Sequence, residues 1–156
     1  MRDDTALAVE DFASESLDFK PADGMMSFGE IARHILDASH ALIGLLLDGE
    51  TNWATPEIQQ KMRARSSGLP ADADAKALAA ELRSDLHTWI TEMESRPSAF
   101  ADTEVTRFDG QKFTMTEILQ FVKEHELSHR SQLFVYLRLK GIVPATTRRR
   151  LAKSKQ

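Results

Sequence analysis

The sequence predicts an all-α protein that folds as a four-helix bundle, with one small hairpin before the last helix. Three long segments repeat apolar residues three and four positions apart, as one face of an amphipathic helix requires. Two of these segments begin with a capping box. The 156 residues are 42% hydrophobic and 28% charged, which is ordinary for one globular domain with a single core.

Composition limits the kind of site and the location that the chain can have. There is no cysteine, so disulfides and thiolate metal sites are excluded, and any metal must be bound by nitrogen and oxygen atoms. The longest apolar run, residues 41–47, is far shorter than a membrane span. The N-terminal residues are acidic and lack the basic and then apolar order of a signal peptide. We therefore expect a cytoplasmic protein without a membrane partner.

Charge is unevenly distributed along the chain. Residues 138–156 carry a formal charge of +7, which leaves −11 for the other residues and makes the total −4. A basic segment of this kind can contact nucleic acid, but the acidic remainder would repel a phosphate backbone. We expect the basic tail, residues 146–156, to be a solvated and partly frayed terminus that follows a single domain over residues 1–145.

The first two helices come before residue 50. A short first helix is predicted over residues 4–16, and one side of it carries Ala8, Val9, Phe12 and Ser16. The second helix begins at Ser27, which forms a capping box with Glu30, and it ends at Gly49. Its apolar face carries Phe28, Ile31, His34, Ile35, Ala38, Leu42 and Leu45.

The middle of the chain interrupts and then resumes the helical pattern. Thr55 followed by Pro56 predicts a short helix over residues 56–65, before a loop at residues 66–70. The third main helix covers residues 74–95. Its predicted buried face carries Leu78, Leu82, Leu86, Trp89, Ile90 and Met93.

A hairpin and a long helix complete the predicted domain. Asp109-Gly110 lies between short β-capable runs within residues 104–114, which indicates a hairpin. The last helix opens with a capping box formed by Thr114 and Glu117 and stops at Gly141. Its apolar face carries Ile118, Phe121, Val122, His125, His129, Leu133, Tyr136 and Leu137.

Two histidines lie on the apolar face of the last helix at metal-binding spacing. His125 and His129 are four positions apart, so they project about 40° from each other and can converge on one ion. A buried imidazole needs a polar partner, and a shared cation would satisfy both rings. The alternative is a pair of core histidines, each hydrogen-bonded to a neighbour. The spacing favours a metal site.

A third ligand is needed from another helix. His34 is the natural choice because it lies on the apolar face of the second helix. His40 lies roughly 240° further round that helix, so we expect it to be a surface or packing residue. His87 lies just beside the apolar face of the third helix and is kept as a reserve ligand.

Residues 125–129, HELSH, also match the H-E-x-x-H motif of zinc proteases. Those enzymes take a third ligand from further along the chain, yet no His, Asp or Glu follows His129. Glu126 lies about 100° from His125 around the helix, which favours a supporting or solvent-facing carboxylate over a general base. The sequence therefore argues against a protease.

Residues 125–144, HELSHRSQLFVYLRLKGIVP, resemble the last helix of the DinB/YfiT-like metalloprotein superfamily. The positions that carry the resemblance are His125, His129, Arg130, Gln132, Leu137, Arg138, Gly141 and Pro144. Residues 26–38, MSFGEIARHILDA, resemble the second helix of that family, with its histidine at His34. FDGQKFTMTEIL, residues 108–119, also fits the family, and the resemblance covers about residues 17–145.

The resemblance implies an up-up-down-down bundle with one long crossover. It also implies a divalent metal ion held by His34, His125 and His129, and both nickel and zinc are expected occupants. Related proteins include thiol S-transferases that act with bacillithiol or mycothiol. A low-molecular-weight thiol or another small molecule is therefore an expected partner. The chain departs from the family pattern in its short first helix.

A three-histidine site leaves positions open on the ion, where a bound water or thiol loses its proton more easily. The expected function is thus metal-dependent thiol S-transfer or hydrolysis, in which a thiolate or water attacks an electrophile. Tyr136 lies about 20° short of two turns from His129, so it either lines the same pocket or packs in the core. Glu126, Arg130 and Gln132 are further candidates for the pocket or for support of the ligands.

Two other classes of function stay open at this point. The second class is a non-catalytic bundle whose metal is structural or which binds a small molecule without turnover. The third is an interaction protein whose histidines are merely buried. Metal analysis separates the last class from the others, and a turnover assay separates the first two. We also expect a homodimer, since symmetric dimers are the commonest homo-oligomers.

Overall fold

The structure, a computed structural model, describes residues 2–12 and 17–154. These residues form a helical bundle with a two-stranded antiparallel hairpin, as predicted. Among them, no helix is both long enough and apolar enough to cross a membrane. The elements in order are α1 (Arg2–Glu10), α2 (Phe28–Leu47), α3 (Pro56–Ala64), α4 (Ala75–Glu94), a 3₁₀ turn (Ser98–Asp102), β1 (Glu104–Thr106), β2 (Lys112–Thr114), α5 (Met115–Leu139) and α6 (Ala145–Lys153).

Side-chain caps set the starts of the three long helices. Ser27 accepts a hydrogen bond from the backbone N–H of Glu30, whose carboxylate accepts one from the N–H of Ser27. Thr114 and Glu117 form the same reciprocal pair at the start of α5. Asp74 caps α4 through the N–H of Ala77. Both predicted capping boxes are confirmed.

Contacts at the helix ends fix the directions of α1, α2 and α5. Arg2 opens α1 and donates to Ser39 in the second half of α2, while Phe12, just beyond α1, stacks on Phe28 at the start of α2. The two helices are therefore antiparallel. Phe28 also contacts Tyr136 near the end of α5, so α5 is antiparallel to α2 and parallel to α1.

The third main helix, α4, runs parallel to α2. Its middle residue Asp85 contacts His40, and Arg96, just after α4, donates to the carbonyl of Leu47 at the end of α2. The main helices therefore run up, down, down and up, whereas the expected order was up, up, down and down. The long crossover, residues 48–74, joins α2 to α4. Because these two helices are parallel, the connection has to run the length of the bundle from the end of α2 to the start of α4.

The buried face of α4 is shorter than predicted. Leu78, Leu82 and Trp89 are buried, but Leu86 and Ile90 are 38% and 45% exposed. The reason is the length of α1, which is nine residues long and packs along only part of the 20-residue α4. The predicted burial of Leu86 and Ile90 is therefore wrong.

The first helix is also shorter than predicted. It ends at Glu10, not at residue 16, and Asp11 and Phe12 follow it in a turn. Phe12 is buried as expected, because it stacks on a ring of α2. Ser16, placed on the same face by the sequence pattern, lies outside the described residues.

Much of the basic tail is an ordered helix. Residues 145–153 form α6, in which Arg148 pairs with Asp11 and Arg149 pairs with Asp4. The expected frayed terminus is therefore wrong for these residues. The acidic side chains of α1 and of the turn after it attract the arginines, so α6 docks against the first helix.

Candidate metal centre

Three histidine rings meet between α2 and α5. Nε2 of His34 lies 3.1 Å from Nε2 of His125, and the ring centroids of the three pairs are 4.6 to 4.9 Å apart. One nitrogen of each ring lies within 4.8 Å of the other two. Bonds of about 2.0–2.1 Å to one tetrahedral ion would place these nitrogens roughly 3.3 Å apart. Small ring movements would therefore let all three histidines, His34, His125 and His129, bind one cation.

The helices explain why these rings converge. His125 and His129 stand one turn apart on α5, so their side chains project on the same side. His34 stands on the antiparallel α2, between Ile31 and Ile35, which are both buried. The structure thus brings together the three histidines that the sequence proposed as ligands.

Gln132 orients one of the rings. Its Oε1 lies 2.9 Å from Nδ1 of His129, and because an amide oxygen only accepts, the ring nitrogen donates. The other nitrogen, Nε2, is then the one with a free lone pair. A partner of this kind fixes the tautomer and orientation of a metal-binding histidine. Gln132, one of the residues suggested for support of the ligands, thus lies beside a ring of the cluster.

We expect Gln132→Ala to lower the metal affinity of the three-histidine cluster by about 10–100-fold, because His129 loses the bond that fixes its tautomer. Competition with a chromophoric chelator measures the affinity. Gln120→Ala is the matched control, since Gln120 is an exposed glutamine of α5 that bonds Glu124. Equal affinity in the two variants would show that Gln132 does not support the site.

Two rings of the cluster, those of His34 and His125, are kept neutral by their surroundings. Burial, followed by the neighbouring rings of His129 and His34, lowers the pKa of His125 from 6.5 to about 4. Burial is also the main cause that lowers the pKa of His34, followed by the effect of His129. At neutral pH both rings therefore carry the lone pair that a metal ion requires.

In metal-free protein we expect His125 to titrate near pH 4. The unfolded chain takes up this proton near pH 6.5, so falling pH favours the unfolded state, and the free energy of unfolding decreases between about pH 6.5 and 4. The ring C–H chemical shift in NMR gives the midpoint, and the spectrum of His125→Asn assigns the signal. A midpoint near 6.5 would contradict this packing of the rings.

Glu126, the acid of the H-E-x-x-H motif, faces α1. Its Oε2 accepts from Nη1 of Arg2 at 2.8 Å, and its Oε1 accepts from the hydroxyl of Thr5 at 2.6 Å. Glu126 is only 3% exposed. Glu126 was expected to line the pocket, to support a ligand or to face solvent; instead both of its oxygens bond to side chains of α1. Sequence reasoning missed Arg2, which no local pattern marks.

The remaining candidates pack against neighbouring groups. Tyr136 is buried, and its hydroxyl donates to the carbonyl of Met26 at 2.9 Å, so the packing alternative describes it. The guanidinium of Arg130 lies over the ring of Phe134 and 3.8 Å from the carboxylate of Asp4.

The other two histidines of the bundle helices lie outside the cluster. His40 contacts the carboxylate of Asp85 at 2.7 Å and the edge of Trp89. His87, the reserve ligand, is exposed on α4 and does not join the three rings.

A solvent-open cavity of about 520 Å³ adjoins His34. This volume suits a small molecule. Met25 and Met26 are partly exposed apolar side chains at this cavity. Its charged lining combines two basic and two acidic residues, Lys20, Arg33, Glu30 and Asp37.

Comparisons with known proteins agree with this architecture. A family model described as the DinB family matches residues 1–156. The Bacillus subtilis (strain 168) protein YjoA is 28% identical over 133 residues, which are 85% of this chain and 79% of YjoA. The crystal structure of YjoA, a DinB-like protein, has a TM-score of 0.68 at 26% identity and covers 90% of this chain and 86% of YjoA. A DinB-like protein from Bacillus cereus ATCC 10987 shares the fold, with a TM-score of 0.69 at 20% identity and coverage of 92% and 87%.

Proposed function

The chain belongs to the DinB family, and on that premise we propose that its three-histidine cluster holds a divalent metal ion, nickel or zinc, in a thiol S-transferase or hydrolase. The observation that carries the proposal is the convergence of His34, His125 and His129 beside a cavity open to solvent.

The donor set fits such an ion. Three imidazoles suit zinc and nickel, and the cluster contains no carboxylate that would favour magnesium or calcium. Neutral ligands leave the charge of the ion uncompensated, so an anionic ligand completes the site well. When bound, the ion lowers the pKa of a water or thiol on it and so supplies a nucleophile at neutral pH. Gln132 holds His129 in the tautomer that this binding requires.

The cavity supports a polar substrate with charged groups of both signs. Lys20 pairs with Glu30 at 3.1 Å in an exposed position, and exposed pairs of this kind are weak enough for a ligand to replace. Arg33 is held in place, because its guanidinium donates to the carbonyls of Leu69 and Pro70. A low-molecular-weight thiol that carries carboxylate and amino groups has the size and charge that this lining favours.

A turnover assay with metal-loaded protein tests the proposal. Low-molecular-weight thiols are mixed with electrophiles, and the loss of free thiol is followed, while a set of activated esters tests hydrolysis. We expect turnover by wild type and by His87→Ala, and none by His125→Ala. No turnover by metal-loaded wild type would favour the non-catalytic binding protein, and equal turnover by His125→Ala would place the reaction elsewhere.

A further inference from the structure

We propose a second divalent-cation site, formed by His40 of α2 with Glu81 and Asp85 of α4. One ring nitrogen and one oxygen of each carboxylate lie within 4.8 Å of one another. His40 stands six positions after His34, about 9 Å further along α2. The second site is therefore separate from the three-histidine cluster and does not depend on it.

The donor set suits a transition-metal ion such as zinc. Glu81 and Asp85 are one turn apart on α4, so their carboxylates project on the same side, and His40 faces them from α2. One imidazole with two carboxylates is a combination of nitrogen and oxygen ligands that zinc accepts. Like charges four residues apart destabilise a helix, and a cation between them removes that repulsion.

The charge of the surroundings also favours a cation. The Nε2 of His40 lies 2.7 Å from Asp85, and the Nη2 of Arg2 lies 3.8 Å from it. The Nη1 of Arg2, however, pairs with Glu126 at 2.8 Å. Glu126 thus neutralises Arg2. Among residues 2–12 and 17–154, Glu81 forms no ion pair. Glu81 and Asp85 therefore carry two negative charges that a divalent ion balances.

A buried donor faces the same place. Arg2 is 3% exposed, and its Nη2 has no hydrogen-bond partner in the described part of the chain. Buried donors are nearly always satisfied, so an acceptor belongs beside Asp85. A hydroxide or other anionic ligand on the ion would accept from this nitrogen. Access is available, since the side chain of His40 is 24% exposed.

Calorimetric titration with zinc tests the second site in protein stripped of metal by a chelator. We expect two equivalents per chain in wild type, and one in Glu81→Gln, in His40→Ala and in His125→Ala. The double variant Glu81→Gln, His125→Ala should bind none. Glu92→Gln removes an exposed acid from the same helix and should keep two equivalents. Circular dichroism checks that each variant keeps its helix content.

The outcomes separate the two sites. Wild type could bind only one equivalent of zinc. If His125→Ala loses that equivalent and Glu81→Gln keeps it, the second site is overturned and the three-histidine cluster stands. One equivalent that Glu81→Gln removes and His125→Ala retains would support the second site and overturn the first. If Glu92→Gln also loses an equivalent, zinc binds to surface acids and the second site is overturned. The second site is likewise overturned if Glu81→Gln and His125→Ala both bind as much zinc as wild type.

Discussion

His125→Ala and His129→Ala are each expected to abolish metal binding at the three-histidine cluster. Each substitution removes one of the three donors, and His129→Ala also leaves Oε1 of Gln132 without its hydrogen-bond donor on His129. Loss of a supporting residue already costs about 10–100-fold in metal affinity, so loss of a ligand should exceed about 100-fold. His34→Ala should weaken binding strongly but less completely, because its removal leaves two ligands placed one turn apart on the same helix.

The elemental content of purified variants measures this effect. The Glu81→Gln background removes any contribution from the second proposed site, so a single equivalent reports the three histidines alone. His87→Ala is the matched control, since His87 is an exposed histidine of α4 outside the cluster. Full zinc content in His125→Ala would show that the rings pack together for structural reasons only, and the enzymatic proposal would be withdrawn.

The sequence was sufficient to predict features that depend on residues three or four positions apart. Ser27 with Glu30 and Thr114 with Glu117 mark helix starts through contacts three residues apart, and the structure contains both capping boxes. The convergence of the three histidines was likewise predictable, because helical spacing placed each of them on an apolar face. Gln132 was named only as one of several candidates, although its position three residues after His129 places it beside that ring.

Long-range packing decided what the sequence left open. Arg2 and Glu126 are 124 positions apart, and no local pattern indicates that they meet. The exposure of Leu86 and Ile90 depends on how far α1 extends along α4, which is a tertiary property. The directions of the helices are also a tertiary property. They depend on whether residues 11–27 or residues 48–74 form the connection that crosses the length of the bundle.

Glu126→Ala is expected to destabilise the protein by about 3–5 kcal/mol, because it leaves the charge of Arg2 buried without its closest partner. Thr5 also loses the acceptor of its hydroxyl. For a chain of this length the melting temperature should fall by roughly 10 °C or more. Thermal and urea unfolding followed by circular dichroism measure the change. Glu124→Ala, an exposed glutamate of the same helix, should change stability by less than about 0.5 kcal/mol.

A second pair of variants distinguishes this structural role from catalysis. Replacing both partners, Arg2→Met with Glu126→Leu, should recover part of the lost stability, because no unpaired buried charge remains. Glu126→Gln keeps the shape of the side chain and should retain the zinc affinity of the three histidines, since both oxygens of Glu126 bond to α1. If Glu126→Gln lowered turnover of the folded, metal-loaded protein by several orders of magnitude while its melting temperature stayed unchanged, Glu126 would be acting on substrate. The helix α1 would then have to move away from Glu126 during the reaction.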